Sequence, residues 1–523
     1  MRTSYLYLEF QVLFSPVFNC LLENMEHAQF TIHNPSHFCS VDFTLTSHTM
    51  MMKIFMPLRF PATAARRLNF QRCLSTSSSL HSLFNPSEEH AALRQTLRTF
   101  VEREVRRRIC QRSTQLLSHY SLPECLCSQE RPSHSQSPTL LSIFTQVEPQ
   151  AHEFNKSEIF NLELFRKLGT AHPEGLGILG LTVEEDYGGT AFVDAAAVTI
   201  VHEELAYSDP AFCLAYLAHS LLLVNNLSIN GSPEQKQRWL PDACAGTAIG
   251  GMCMSEPAAG TDVLGMKSSA VYDDEKKAWI LNGTKMWITN GTLTGTGTGD
   301  LFLVYARTGP GRADVTQFVV EKGMEGFTLG QKINDKLGMR ASMTAELVFE
   351  NVLVSSDNVV GEVNGATLCM MRNLEIERIG LAAMALGIAR RCLDEMKQYA
   401  TERQAFGSRD LFAFGQVQRL VADSYAEYMA GRCYVYAVAN ALDLHTAGNG
   451  LDADGTKLYC ANMSKQVADR AIQVLGGYGY VGEYKVERFW RDAKLLEIGG
   501  GTNESHHKNM CRDLRKMGSN RLD

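Results

Sequence analysis

The chain has 523 residues, 45% hydrophobic and 20% charged, with a formal net charge of -7. That length can bury a sizeable core in two or three domains, and the composition excludes a disordered, collagenous or small disulfide-stapled protein. Residues 1–147 carry 14 Lys+Arg against 10 Asp+Glu, so residues 148–523 stand at -11, which argues against nucleic-acid and anionic-membrane partners.

No apolar run reaches the roughly 18 to 20 residues of a membrane span. The nearest, 5–22, is interrupted by Glu9, Gln11, Ser15, Pro16 and Asn19, and residues 1–51 are left unassigned. Residues 52–87 hold Lys53, Arg59, Arg66, Arg67 and Arg72, then a Ser/Thr cluster at 75–79, and no Asp or Glu. This is the composition of a mitochondrial transit segment, with a basic tail as the alternative. Because transit segments begin at the initiator, Met50, Met51, Met52 or Met56 is the expected start.

A helical domain is expected over 88–251. It opens on an amphipathic helix at 88–105, capped by Ser87, with Leu93, Leu97, Phe100 and Val101 on one face. Residues 106–147, rich in Ser, Pro and Cys and without period, read as an atypical insertion. From 252 to 360 the period changes to two, which predicts a β-domain. It has a strand and Asn-Gly turn at 278–283 and further strands at 301–306, 317–321 and 346–349. The glycine-rich stretch 295–300 lacks the last glycine of a dinucleotide fingerprint and reads as a flexible loop. Long helices at 374–403, 417–444 and 455–475 then predict a helical bundle over 361–523. The order is α+β multidomain, helices then sheet then four-helix bundle, and speaks against a doubly wound fold. The 14 cysteines form no CxxC pairs or Cys/His clusters in the body, which points to reduced thiols and no metal site.

Several motifs follow one another. The β-domain opens on Met252, Cys253, Met254, Ser255, Glu256, Pro257, Ala258, Ala259, Gly260 and Thr261, and Trp287, Ile288 and Thr289 come later. Hydroxyls and turn amides of this kind can hydrogen-bond the edge of a flat heterocycle while an indole covers its face. Arg403 in Arg-Gln-Ala-Phe-Gly, the run Gln473, Val474, Leu475, Gly476 and Gly477, and the run Gly499, Gly500, Gly501, Thr502, Asn503 and Glu504 offer an arginine and glycine-rich amides to a pyrophosphate.

Together, in this order, these residues resemble the acyl-CoA dehydrogenase family from about 148 to 516. Its isovaleryl-CoA members are the most similar, through 318–324, 336–340 and the Leu-Glu-Ile-Glu-Arg run at 374–378. The resemblance implies FAD, an acyl-CoA substrate, a homotetramer in the mitochondrial matrix, and electron transfer to electron-transferring flavoprotein. By resemblance, residues 252–261 and 287–289 hold the isoalloxazine, while Arg403, Gln473 to Gly477 and Thr502 to Glu504 hold the FAD phosphates and adenosine, partly across a subunit boundary. Thr261, Tyr305, Ala306, Glu375, Ile376, Glu377, Arg378, Gly500 and Gly501 match acyl-CoA contacts, and the amide of Glu377 with a ribityl hydroxyl would polarise the thioester carbonyl.

Most of the family carries its base at the position that is Gly500 here. A base missing there must come from elsewhere, and the isovaleryl and long-chain members take it from the helix that here contains 374–378. Residues two apart on a helix point to nearly opposite sides, so only one of Glu375 and Glu377 can face the pocket, and alignment on the Glu-Arg pair selects Glu377. Three departures bear on cofactor and acyl preference: Phe414-Gly415-Gln416 in place of the family's Phe-Gln pair, which moves the FAD glutamine to Gln416 or removes it; Leu368 in place of a substrate-side Tyr; and a lengthened turn at 291–299. The alternatives are a long-chain or other short-branched acyl-CoA dehydrogenase, an acyl-CoA oxidase, and a non-catalytic CoA-binding relative.

Overall fold

The computed structural model describes residues 28–33, 40–45, 83–100, 148–172, 175–190, 192, 194–446 and 448–517. Residues 52–82 of the transit reading of 52–87, residues 101–105 of the expected first helix with Val101, and the insertion reading of 106–147 lie outside these residues. Two units separate at Thr76 and Ser77. The first contains an antiparallel pair, β1 (Ala28–His33) and β2 (Ser40–Leu45), with Ala28 opposite Leu45, which no feature of residues 1–51 had indicated.

In the second unit the packed body begins at or before Phe84, which is buried against Tyr436 with ring centroids 5.2 Å apart. Ser87 then caps the helix α1 (88–100) through the amide of His90. The helices that follow start on recognisable caps. Asp194 caps α2 (Ala195–Ser208) and Asp209 caps α3 (Pro210–Leu217), which has Pro at its first position. Ser232 and Gln235 form a capping box on α4 (Pro233–Ala245), which ends at the left-handed Gly246. The helical run Pro210–Asn230 is long and apolar enough to cross a membrane, contrary to the sequence expectation, but 83% of its apolar window is buried inside the protein.

The sheet has eight strands: β3 (Gly250–Cys253), β4 (Ser269–Asp273), β5 (Ala278–Thr289), β6 (Leu301–Arg307), β7 (Val315–Glu321), β8 (Phe327–Lys332), β9 (Thr344–Ser355) and β10 (Val359–Val360). Their order is β10-β7-β6-β4-β5-β9-β8, with β3 pairing β6 in parallel. β6 and β7 are buried on both faces, as strands covered on two sides must be. The expected Asn-Gly turn does not form: β5 runs straight through Asn282 and Gly283 as a bulge opposite β9. Gly283 has φ +145, and a Cβ there would sit 2.2 Å from the Ser268 hydroxyl, so the glycine permits close strand approach rather than chain reversal. The stretch 295–300 is a loop held at its start by Gly295 N to Thr292 Oγ1 (3.1 Å) and at its close by Gly299 N to Gly291 O (2.9 Å) and Asp300 N to Ile249 O (2.8 Å).

Three long helices complete the body: α5 (Ala366–Glu402), α6 (Gly415–Ala441) and α7 (Gly450–Leu475), followed by α8 (Val486–Leu496) and α9 (Asn503–Lys516). α5 begins eight residues earlier than the sequence period implies, so residue 377 lies in its fourth turn. α2 approaches it closely at Gly387, where a Cβ would meet the Glu203 carbonyl at 2.5 Å. Beside that contact Glu203 is fully buried and accepts from Arg94, Arg432, Tyr428 and Tyr436, with Arg390 3.4 Å away. This one carboxylate ties α1 and α2 to the C-terminal helices.

Candidate active site

The sheet and α5 meet at an apolar cluster of Met254, Met266, Tyr305, Val315, Ala366 and Met370, with Met252 and Leu374 packed against it. Three turns into α5, Glu377 is buried and its Oε2 has no hydrogen-bond partner. Burial raises its carboxyl to about 7, against the opposing pull of Arg378 and Lys457. Glu375 differs: its carboxylate accepts the amides of Gly448 (3.2 Å) and Asn449 (3.1 Å) and so clamps α5 to the loop before α7. Of the two carboxylates, only that of Glu377 retains an oxygen without a partner. Ile376 is core, and Arg378 pairs with Asp454 at 3.3 Å.

Gly500 and Gly501, at φ +66 and +98, bend the chain between α8 and α9 against Glu377. A Cβ on Gly500 would lie 3.5 Å from Glu377 Oε1 and 2.2 Å from Leu381 Cδ1. The loop is held from beneath, where the Gly501 carbonyl accepts from Lys457 Nζ at 2.6 Å and faces His506 Nε2 at 3.0 Å, and the other His506 nitrogen contacts Asp454. Thr502 caps α9 through the Ser505 amide, Asn503 reaches Asn462, and Glu504 is exposed. Because residue 377 is inside α5, its N–H is committed to the carbonyl four residues back. The expected polarisation of a thioester by the Glu377 amide therefore does not hold.

On the sheet side, Trp287 is 61% exposed at φ +67, where β5 shifts register between Lys285 and Ile288. A bulky residue rarely adopts this conformation, and it turns the indole out of the sheet while Ile288 points into the core. Glu256 spends its side chain on the loop's own architecture: it accepts the Lys267 and Ser268 amides at 2.6 and 3.0 Å and the buried Lys285 ammonium at 2.9 Å. Cys253 is fully buried, and its side chain faces the sheet interior. Met252 is half-buried and Met254 buried in the apolar cluster; Ser255 accepts the Met286 amide, Ala259 is buried, and Pro257, Ala258, Gly260 and Thr261 are exposed. Ala306 is buried, as is Tyr305, whose hydroxyl accepts from Asn226 at 3.0 Å. The exposed Trp287 indole, on a strand joined to half-buried Ser255 through the Met286 amide, with half-buried Thr289 and exposed Thr261 on the same two segments, offers the face and polar groups a flavin ring needs, so the residues present suit FAD.

The remaining positions gather elsewhere. Arg403 caps the far end of α5, its guanidinium 5.9 Å from the Tyr478 ring, next to Gly476 and Gly477. Gln473 is exposed, whereas the side chains of Val474 and Leu475 are core and leave only backbone to a ligand. Gln416 is exposed in the first turn of α6. Along α5, Arg403 lies roughly 39 Å from Glu377 at 1.5 Å per residue. The sequence reading overlooked Lys457, Asp454, His506 and Leu381. The available signal was a lysine and an aspartate on the buried stripe of α7.

Three family models match in order: the acyl-CoA dehydrogenase N-terminal domain over residues 143–247, the middle domain over 251–352 and the C-terminal domain over 364–514. The chain is 41% identical over 374 residues to a mitochondrial isovaleryl-CoA dehydrogenase of Solanum tuberosum, covering 71% of this chain and 87% of that one. It is 39% identical over 378 residues to a mitochondrial 2-methylacyl-CoA dehydrogenase of the same plant, with the same two shares covered. The solved structure of butyryl-CoA dehydrogenase from Megasphaera elsdenii superposes with a TM-score of 0.64 at 32% identity, over 73% of this chain and all of that one. The chain belongs to the acyl-CoA dehydrogenase family and is an FAD-dependent oxidoreductase.

Proposed function

We propose that the enzyme dehydrogenates a short branched acyl-CoA, converting isovaleryl-CoA to 3-methylcrotonyl-CoA, with Glu377 as the base. The observation that carries this reading is the buried Glu377 carboxyl beside Gly500, with an unpartnered oxygen and a proton affinity raised to about 7. A desolvated carboxylate of that basicity suits removal of an α-proton near neutral pH, and the proton ends on the Glu377 carboxyl. Bound FAD supplies the acceptor for the hydride that leaves the β-carbon. The thioester carbonyl needs a donor other than the Glu377 amide. We assign that role to the Gly500 N–H, which lies in the loop facing the carboxyl and makes no loop or turn backbone hydrogen bond among the described residues. Met254, Met266, Tyr305 and Met370 keep water from the reacting carbons.

The roughly 39 Å between Glu377 and Arg403 supports a homotetramer in which Arg403 and the Gln473 to Gly477 run serve the flavin of a neighbouring subunit, with Gln416 in the same part of the chain. The similar isovaleryl-CoA and 2-methylacyl-CoA enzymes are named mitochondrial; with the acid-free basic stretch at 52–87 this supports the matrix, and electron-transferring flavoprotein as the acceptor. The second reading, a 2-methyl-branched substrate, is favoured by the 2-methylacyl relative and by Leu368, which is 56% exposed at the start of α5 rather than lining the pocket as a tyrosine. Anaerobic titration of the yellow protein with isovaleryl-, 2-methylbutyryl-, butyryl- and palmitoyl-CoA tests these readings. Bleaching strongest with isovaleryl-CoA is expected. Bleaching by another thioester alone moves the substrate, and a colourless protein would sink the enzymatic reading.

A further inference from the structure

We infer that Lys457 is a positioning residue for the base: from α7 it holds the glycine loop against Glu377 and supplies the positive charge that keeps the Glu377 carboxylate formed. The inference rests on Glu377 being that base.

The side chain of Lys457 is fully buried, and its ammonium bonds the Gly501 carbonyl at 2.6 Å, so a cation is anchored directly under the loop that faces Glu377. The charges around the pair come from four elements. On α5, Arg378 pairs with Asp454 of α7 at 3.3 Å, which leaves its charge largely matched. From the sheet, Tyr305 lies near enough to Glu377 for their charges to interact, and its own burial keeps the phenol neutral. From the segment after α8, Glu497 faces Lys457 but is bound by Lys494 at 2.5 Å. From α9, His506 lies between Asp454 and the Gly501 carbonyl, its proton affinity lowered by burial. Lys457 is therefore the cation here whose hydrogen bond goes to a carbonyl rather than to a carboxylate. Burial lowers its ammonium to about 8, opposed first by Glu377, and Lys457 in turn pulls the Glu377 carboxyl downward. One side chain thus couples the position of the loop to the ionisation of the base.

The test compares wild type with Lys457→Met, Lys457→Gln and Lys457→Arg in the FAD-loaded protein. The first readout is the pH profile of kcat/KM with whichever acyl-CoA bleaches the flavin best. The second is an infrared titration of the carboxyl band that disappears in Glu377→Gln, which needs no turnover. Removing the charge should move both the acid limb and the carboxyl titration to higher pH by about one unit, roughly a tenfold loss of kcat/KM below the limb. Lys457→Arg should return both. Lys457→Gln, which can still donate to the Gly501 carbonyl, should show the same shift as Lys457→Met, and serves if the methionine variant does not fold. An acid limb and carboxyl titration unmoved in the neutral variants, whatever the plateau rate, would overturn the inference. An active Glu377→Gln enzyme would instead remove the base assignment itself.

Discussion

Gly500 lies directly against the carboxyl of Glu377, so that a Cβ at 500 would stand 3.5 Å from Oε1. The position that lacks a carboxylate and the position that gained one are 123 residues apart in the chain and adjacent in the fold. The glycine leaves room for the side chain arriving from α5, which is why the two residue choices go together.

Replacing Glu377 by Gln should leave the FAD spectrum intact and slow substrate-driven flavin reduction by about 10³-fold, the usual scale for a lost general base. In the wild type the base must be ionised. With its carboxyl near pH 7, reduction should fall about tenfold per pH unit below that value. Stopped-flow bleaching between pH 5.5 and 8.5 reads both effects, and unchanged kinetics in Glu377→Gln would exclude it as the base.

Gly500→Ala should bind FAD but reduce it more slowly, and should cost about 1–2 kcal/mol, because φ +66 is unfavourable for any side chain. The added methyl also meets Leu381 Cδ1 at 2.2 Å. The end of that side chain can move, so Leu381→Ala should recover part of the reduction rate but not the backbone cost. Thermal unfolding paired with flavin bleaching in the single and double variants separates the two contributions.

Glu203 is the stability counterpart of Glu377. Its removal as Glu203→Gln takes the carboxylate partner from Arg432 and leaves Arg94 and Arg390 to Glu204 alone, and should cost about 3–5 kcal/mol. Arg98, which is half exposed and pairs with Glu204, should cost under about 1 kcal/mol when changed to Ala. Comparable losses of thermal midpoint in the two variants would contradict the central role of Glu203.

Acid stability should fail before the carboxylates titrate. His202 and His219 are fully buried, and desolvation lowers each from 6.5 to about 4. The unfolded chain therefore takes up protons that the folded one refuses. The stability these neutral rings carry is present above pH 6.5 and lost as the pH falls toward 4, by at most about 3 kcal/mol each. Glu377 acts in the opposite sense, because its raised carboxyl binds a proton in the folded state from about pH 7 downward. In Glu377→Gln protein the denaturation midpoint should thus drop between pH 6.5 and 4.5. A flat midpoint there would show that the histidines are not held neutral.

What the sequence carried by itself was local: a cap at Ser87 and periods of 3.6 and 2 that order helices, sheet and helices; the pairing of Glu377 with Gly500 came from the family resemblance. The cap and the periods follow from backbone geometry and residue type within a few positions. It also misled where local chemistry was overruled. Asn282-Gly283 has the residues of a tight turn, but pairing with β9 on both sides draws it into one continuous bulged strand. Pro210–Asn230, which the sequence reading passed over, is apolar enough for a span and is enclosed by its neighbours.

Only the tertiary structure decided which carboxylate of 374–378 is free, because the choice depends on the amides of Gly448 and Asn449 arriving more than seventy residues later to occupy Glu375. It likewise put Lys457 under Gly501 and Arg403 at the far end of α5 from Glu377. A sequence encodes which side of its own helix a residue faces; what stands opposite is set by the packing of elements distant in the chain, and there burial and charge give a glutamate or a lysine its proton affinity.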